Sequence, residues 1–62
     1  MFPQVDDVWE RNGKRFRCGK VDEYFSTFVE EGVTNRFERW MNHFVSRSAT
    51  LIERDGKAVG NE

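Results

Sequence analysis

Apolar and polar positions alternate with period two in the stretch Arg15-Phe16-Arg17-Cys18, with Phe16 and Cys18 on one side and Arg15 and Arg17 on the other. That is the pattern of a half-buried strand. Just before it, Val8-Trp9-Glu10-Arg11 is joined to Lys14 by Asn12-Gly13. Asn-Gly suits a two-residue hairpin turn because both residues tolerate positive φ. The pattern predicts a strand near 7–11, an Asn-Gly hairpin and a second strand near 14–21. Gly19, near the end of that second strand, marks a bulge or bend. Asp22-Glu23 reads as a short turn. The segment Tyr24–Glu30 is β-rich and closes at Glu31-Gly32. One of its faces would carry Tyr24, Ser26 and Phe28 and the other Phe25, Thr27 and Val29. Large apolar groups therefore stand on both sides, so either a bulge switches the face or aromatic surface is left outside.

Beyond Gly32 the periodicity supports two elements. Phe37, Trp40, Met41, Phe44 and Val45 fall at i, i+3, i+4, i+7 and i+8, an amphipathic helical stripe. Asn35 would cap that helix, with Glu38 in the reciprocal position. The rival reading makes Val33–Glu38 a strand that leads into a shorter helix at about 39–47. Both agree on a helix through Arg39–Ser46. Ala49–Glu53 then reads as the last strand, ended by Asp55-Gly56. The expected organisation is an N-terminal arm over 1–5, a single small domain over 6–54 and a polar C-terminal tail over 55–62. The fold class expected is mostly β (α+β), a small SH3-like meander or barrel with one short helix before the last strand.

Composition changes this picture in one respect. The chain has 62 residues, of which 37% are apolar and 34% charged, and its aromatics are six Phe, two Trp and one Tyr. Each buried aromatic removes ~150–250 Å² from water, so a folded core is within reach. So short a chain cannot hide all that ring surface comfortably. The single Cys excludes an intrachain disulfide. Cys18 and His43 lack the paired spacing of a zinc site, so no metal and no cofactor are expected. No run approaches the ~20 apolar residues of a membrane span. Met1-Phe2-Pro3-Gln4 lacks the basic and apolar regions of a signal peptide. A cytoplasmic protein without membrane contact is expected.

Charge is segregated although the net value is −1. Asp6, Asp7 and Glu10 precede a basic block of Arg11, Lys14, Arg15, Arg17 and Lys20, which is followed by Asp22, Glu23, Glu30 and Glu31. Such a block is either one side of a neutralised, solvated surface or a basic ridge. Catalytic chemistry has little to build on. Cys18 shares a face with Phe16 and has no evident activating base, so it reads as a core residue. His43 sits at the polar edge of the apolar stripe, and no carboxylate completes a triad with Ser46 or Ser48. Asp6-Asp7 and Glu30-Glu31 are adjacent only in sequence, where neighbouring strand residues point apart. A non-enzymatic chain is expected.

Two binding classes remain. Aromatic-plus-Arg surfaces are where protein interfaces concentrate their affinity, which favours a protein partner, or a homodimer seam, at Arg15, Arg17, Tyr24 and Phe28. The alternative is a small nucleic-acid-binding regulatory protein. It would use the basic hairpin and stack bases on Tyr24 or Phe28, against a net charge that is slightly acidic.

The segment Asp7-Val8-Trp9-Glu10 followed by Asn12-Gly13-Lys14-Arg15-Phe16-Arg17 resembles the opening of short uncharacterised SH3-like barrel domains encoded by bacteria and their phages. Met41-Asn42-His43-Phe44-Val45-Ser46-Arg47 and Leu51-Ile52-Glu53 are similar to the helical segment and apolar strand that close them. The resemblance covers roughly residues 6–53 through short, mostly structural motifs, and it brings no catalytic residues. It implies a phage or prophage accessory protein, a viral protein in that sense. Such a protein would bind a host complex of the defence or transcription machinery as a regulator or inhibitor. A helix beginning at Asn35 would depart from that family pattern.

Overall fold

The computed structural model describes residues 2–59. Six strands and one helix follow in the order β1 (Val8–Arg11), β2 (Lys14–Val21), β3 (Phe25–Glu30), β4 (Phe37–Met41), α1 (Asn42–Ser48), β5 (Thr50–Arg54) and β6 (Lys57–Ala58). The strands form one antiparallel sheet in the order β4-β3-β2-β1-β5-β6. The chain is thus mostly β. The sheet is open, with β4 at one edge and β6 at the other, so it does not close into a barrel among the described residues.

Turn chemistry explains the two tight corners. Arg11 stands opposite Lys14, and the intervening Asn12 and Gly13 take φ of 54° and 78°. Asp55 and Gly56 repeat this at 57° and 75° between the paired Arg54 and Lys57. Left-handed φ of this kind is easy for Gly and tolerable for Asn or Asp. Asp55-Gly56 therefore turns the chain back instead of ending it. The helix precedes the penultimate strand, and residues 57–58, assigned to the tail from sequence, form β6. Residues 60–62 of that tail lie outside the described residues.

One side of the sheet carries the core: Trp9, Phe16, Cys18, Phe28, Trp40 and Val45, with Val21, Ala49 and Leu51 packed against it. Phe28 stacks on Trp40 at 4.1 Å between ring centroids, and Phe16 meets the same indole edge-on at 4.9 Å. The β2–β3 register shifts between Cys18 and Lys20. This bulge at Gly19 resets the alternation, so that Lys20 pairs with exposed-face Thr27 and Val21 turns inward opposite Ser26.

The helical stripe read from sequence is only partly a helix. Phe37–Met41 is strand, and Asn35, the expected cap, has φ of 60° in a turn. The helix begins at Asn42 behind Met41, which has no side-chain cap bond. Pairing satisfies the hydrogen-bonding edge of β3, which a helix at 37–41 would leave exposed. Asn42 secures the junction. Its side-chain oxygen accepts from the Ser26 hydroxyl, and its Nδ2 donates to the Asp22 and Glu23 carbonyls at 2.8 and 3.3 Å.

The N-terminal segment is tied to the sheet by Asp7, which is 1% exposed. Its Oδ2 accepts from the Gln4 N–H at 2.7 Å, Trp9 Nε1 at 3.1 Å and Arg54 Nη2 at 2.8 Å, while Oδ1 accepts from Arg54 Nε at 2.9 Å. Arg54 also donates to the Phe2 carbonyl. Burial alone would raise the Asp7 pKa. The Arg54, Gln4 and Trp9 donors outweigh it and hold the carboxyl below its ordinary value.

Candidate docking edge and face

The aromatic surplus expected from composition is present on the surface. Trp9, Phe16, Phe28 and Trp40 are buried, whereas Phe2, Tyr24, Phe25, Phe37 and Phe44 are exposed. The conflict in the third strand is resolved by alternation without a face switch. Ser26 and Phe28 point into the core, and Phe25, Thr27 and Val29 occupy the opposite, outer face.

Register places a patch there. Phe25 pairs with Met41 and Val29 with Phe37, with Thr27 and Arg39 between them. Phe37 is 65% exposed, Met41 43% and Phe25 37%. Arg39 covers Phe25, its guanidinium carbon 5.0 Å from the ring centroid. Two apolar cross-strand pairs thus flank one stacked cation.

The same residues border an unpaired strand edge. Asn42 N–H donates to the Tyr24 carbonyl and Glu30 N–H to the Arg36 carbonyl. These two bonds identify the even-numbered pairs of β3 and β4 as the hydrogen-bonded ones. The N–H groups of Phe37, Arg39 and Met41 therefore point away from β3, as do the carbonyls of Phe37 and Arg39. No strand lies on that side among the described residues. The edge instead opens on a groove of about 290 Å³ lined by Arg11, Arg39, Trp40, Met41, Phe44 and Ser48. A second depression of about 240 Å³ continues past Arg11, Asn12, Lys14, Phe16 and Glu38.

The residues expected from sequence to make contacts are dispersed. Phe28 is fully buried beneath Trp40 and offers no outside surface, because its parity within β3 puts it in the core. Arg15 and Arg17 are exposed on the outer face of β2, with Arg17 opposite Val29. Arg17 is held by Glu31 at 3.0 Å and donates to the Asp6 carbonyl. Tyr24 is 62% exposed at the entrance to β3. The structure thus leaves Arg15, Arg17 and Tyr24 accessible and removes Phe28.

Sequence spacing does not reveal Phe37 and Met41 as surface residues, because they fit an amphipathic helical stripe. The signal that could have found them is the short alternation Phe37, Arg39, Met41 about an inward Trp40. Cys18 is buried, and burial pushes its thiol pKa up. His43 is exposed and meets Phe2 edge-on at 5.2 Å. Among the described residues no three His, Cys, Asp or Glu side chains cluster as metal ligands. No described helix is long and apolar enough to cross a membrane.

No protein-family model matches the chain, and no curated protein or solved structure matches it either.

Proposed function

We propose that the chain is a non-enzymatic protein-interaction module that docks its partner on β4, by strand addition at the open edge and apolar contact with the outer face. The observation that carries this reading is the coincidence of two features in Phe37, Arg39 and Met41. Their backbone groups border the unpaired edge, and their side chains belong to the exposed patch. An added strand gains main-chain hydrogen bonds from such an edge and specificity from alternate side chains. Arg15 and Arg17, on the same face, extend the surface toward β2.

An SH3-like meander is the architecture this reading favours. Its support is the β4-β3-β2-β1-β5 order with a helical turn between β4 and β5. A cytoplasmic phage or prophage accessory protein, inhibiting or regulating a host complex, is the further extension. It rests on the sequence resemblance alone.

Met41 permits a clean test. Its φ of −70° is that of proline, it stands just before the helix, and its N–H faces the open edge. Met41→Pro deletes one edge donor without changing the backbone path, and Met41→Ala controls for the lost side chain. In affinity capture from a bacterial lysate, a specific partner is retained by the wild type and held more weakly by Met41→Ala. It is lost with Met41→Pro and with Phe37→Ser. Capture unaffected by Met41→Pro and Phe37→Ser would refute docking on β4.

A further inference from the structure

Cations line the groove beside β4. Arg11 lies over Trp40, 5.3 Å from the ring centroid, and lines both depressions. Lys14 lines the second depression and Arg39 the first. Arg47 lies 5.6 Å over Phe44, another wall of the first groove. Among the described residues none of these four takes part in a salt bridge. The one carboxylate lining either depression is that of Glu38, which accepts from Trp40 Nε1 at 2.8 Å. The groove therefore carries an excess of positive charge although the whole chain is slightly negative.

We infer that the segment pairing with β4 is an acidic extended peptide. Its carboxylates would alternate along the groove side, facing Arg11 and Lys14, and its intervening apolar residues would lie over Phe37 and Met41. This deepens, and rests on, the reading of β4 as a docking strand. Period two in an added strand presents one set of side chains to the groove, beside Arg11 and Lys14, and the other to the outer face, beside Phe37 and Met41. A second copy fits less well. Antiparallel pairing of β4 with β4 centred on Arg39 opposes two guanidiniums, and centred on Glu38 it opposes two carboxylates. A nucleic acid would meet the cations, but its backbone cannot pair with the row of N–H and C=O groups at Phe37 and Arg39.

The test is an NMR titration of the full ¹⁵N-labelled chain with three probes. These are the capped heptapeptide Glu-Val-Glu-Val-Glu-Val-Glu, its counterpart with Lys in place of Glu, and a short oligo-dT strand. The acidic peptide should shift the amides of Phe37, Arg39 and Met41 and bind roughly tenfold more tightly than the lysine peptide. Binding should weaken with added salt and fall about fivefold in the Arg11→Gln, Lys14→Glu double variant.

Equal binding of the two peptides at β4 would overturn the acidic preference and leave strand addition standing. Loss with Met41→Pro but not with Arg11→Gln, Lys14→Glu would do the same. If neither peptide moves the β4 amides, the acidic partner is rejected, and the lysate capture with Met41→Pro then judges the docking strand separately. Displacement of the acidic peptide from those amides by oligo-dT would overturn the proposal in favour of a nucleic-acid ligand.

Discussion

Asp7→Asn is a conservative change that removes a buried counter-charge from a crowded set of donors. The substitution keeps the shape and replaces one carboxylate oxygen by an amide nitrogen. If that nitrogen takes the Oδ2 position, it confronts the Gln4 N–H, Trp9 Nε1–H and Arg54 Nη2–H donors. If it takes the Oδ1 position, it confronts Arg54 Nε–H. Donor faces donor in either orientation, and Arg54 loses its counter-charge. Asp7 is 1% exposed on its side chain and Arg54 22%, so water screens the pair little. Removing one partner of such a pair costs ~3–5 kcal/mol. A single core in a chain this short supplies only ~3–5 kcal/mol in total. The two figures are comparable, so the variant should sit at the edge of unfolding. At ~4–8 °C per kcal/mol for a domain of this size, the thermal midpoint should fall by at least about 12–24 °C. Circular dichroism melts at neutral pH measure this, with Glu31→Gln as the contrast. The Arg17–Glu31 pair is 47% and 36% exposed on its side chains, so its loss should cost no more than ~1 kcal/mol. A midpoint for Asp7→Asn within about 4 °C of wild type would refute the assignment of Asp7 as the tie between the N-terminal segment, β1 and β5.

Three other outcomes follow from the same structure. Because the folded Asp7 pKa lies below the ordinary value of 3.8, its contribution is complete above the unfolded pKa and disappears as pH falls through the folded one. Urea midpoints should therefore be flat from neutral pH to about 5 and drop below about 4, with the drop reduced in Asp7→Asn; an unchanged slope in that variant would assign acid sensitivity to other groups. Phe28→Ala should cost ~3–5 kcal/mol in urea denaturation, whereas Phe37→Ala on the outer face should stay within ~0.5 kcal/mol; equal costs would contradict the assignment of their faces. Cys18, buried and with its thiol pKa raised, should resist a disulfide reagent in the native protein and react readily in urea, and rapid native labelling would argue against a sealed core at β2.

Local reasoning reached furthest where one side of a strand is apolar and the other is not. Phe16 and Cys18 are buried and Arg15 and Arg17 exposed, as their alternation requires. Gly19 does coincide with a bulge, and it is that bulge that turns Val21 inward. Asp55-Gly56 carries the same turn signal as Asn12-Gly13, yet in sequence it reads as a stop. The difference is that β6 has only two residues, Lys57 and Ala58, neither of which announces a strand.

Composition alone determined that ring surface would remain outside: rings occupy 15% of a chain too short to enclose them. Which rings, and at which edge, was a tertiary matter. Phe37, Trp40 and Met41 satisfy a helical stripe by spacing, and they equally satisfy a strand that is apolar on both faces. The choice fell to the strand because β3 offered hydrogen bonds that the next segment of the chain could complete only in extended form. That pairing between strands turned two residues of the expected helical stripe, Phe37 and Met41, into the exposed edge on which the proposed function depends.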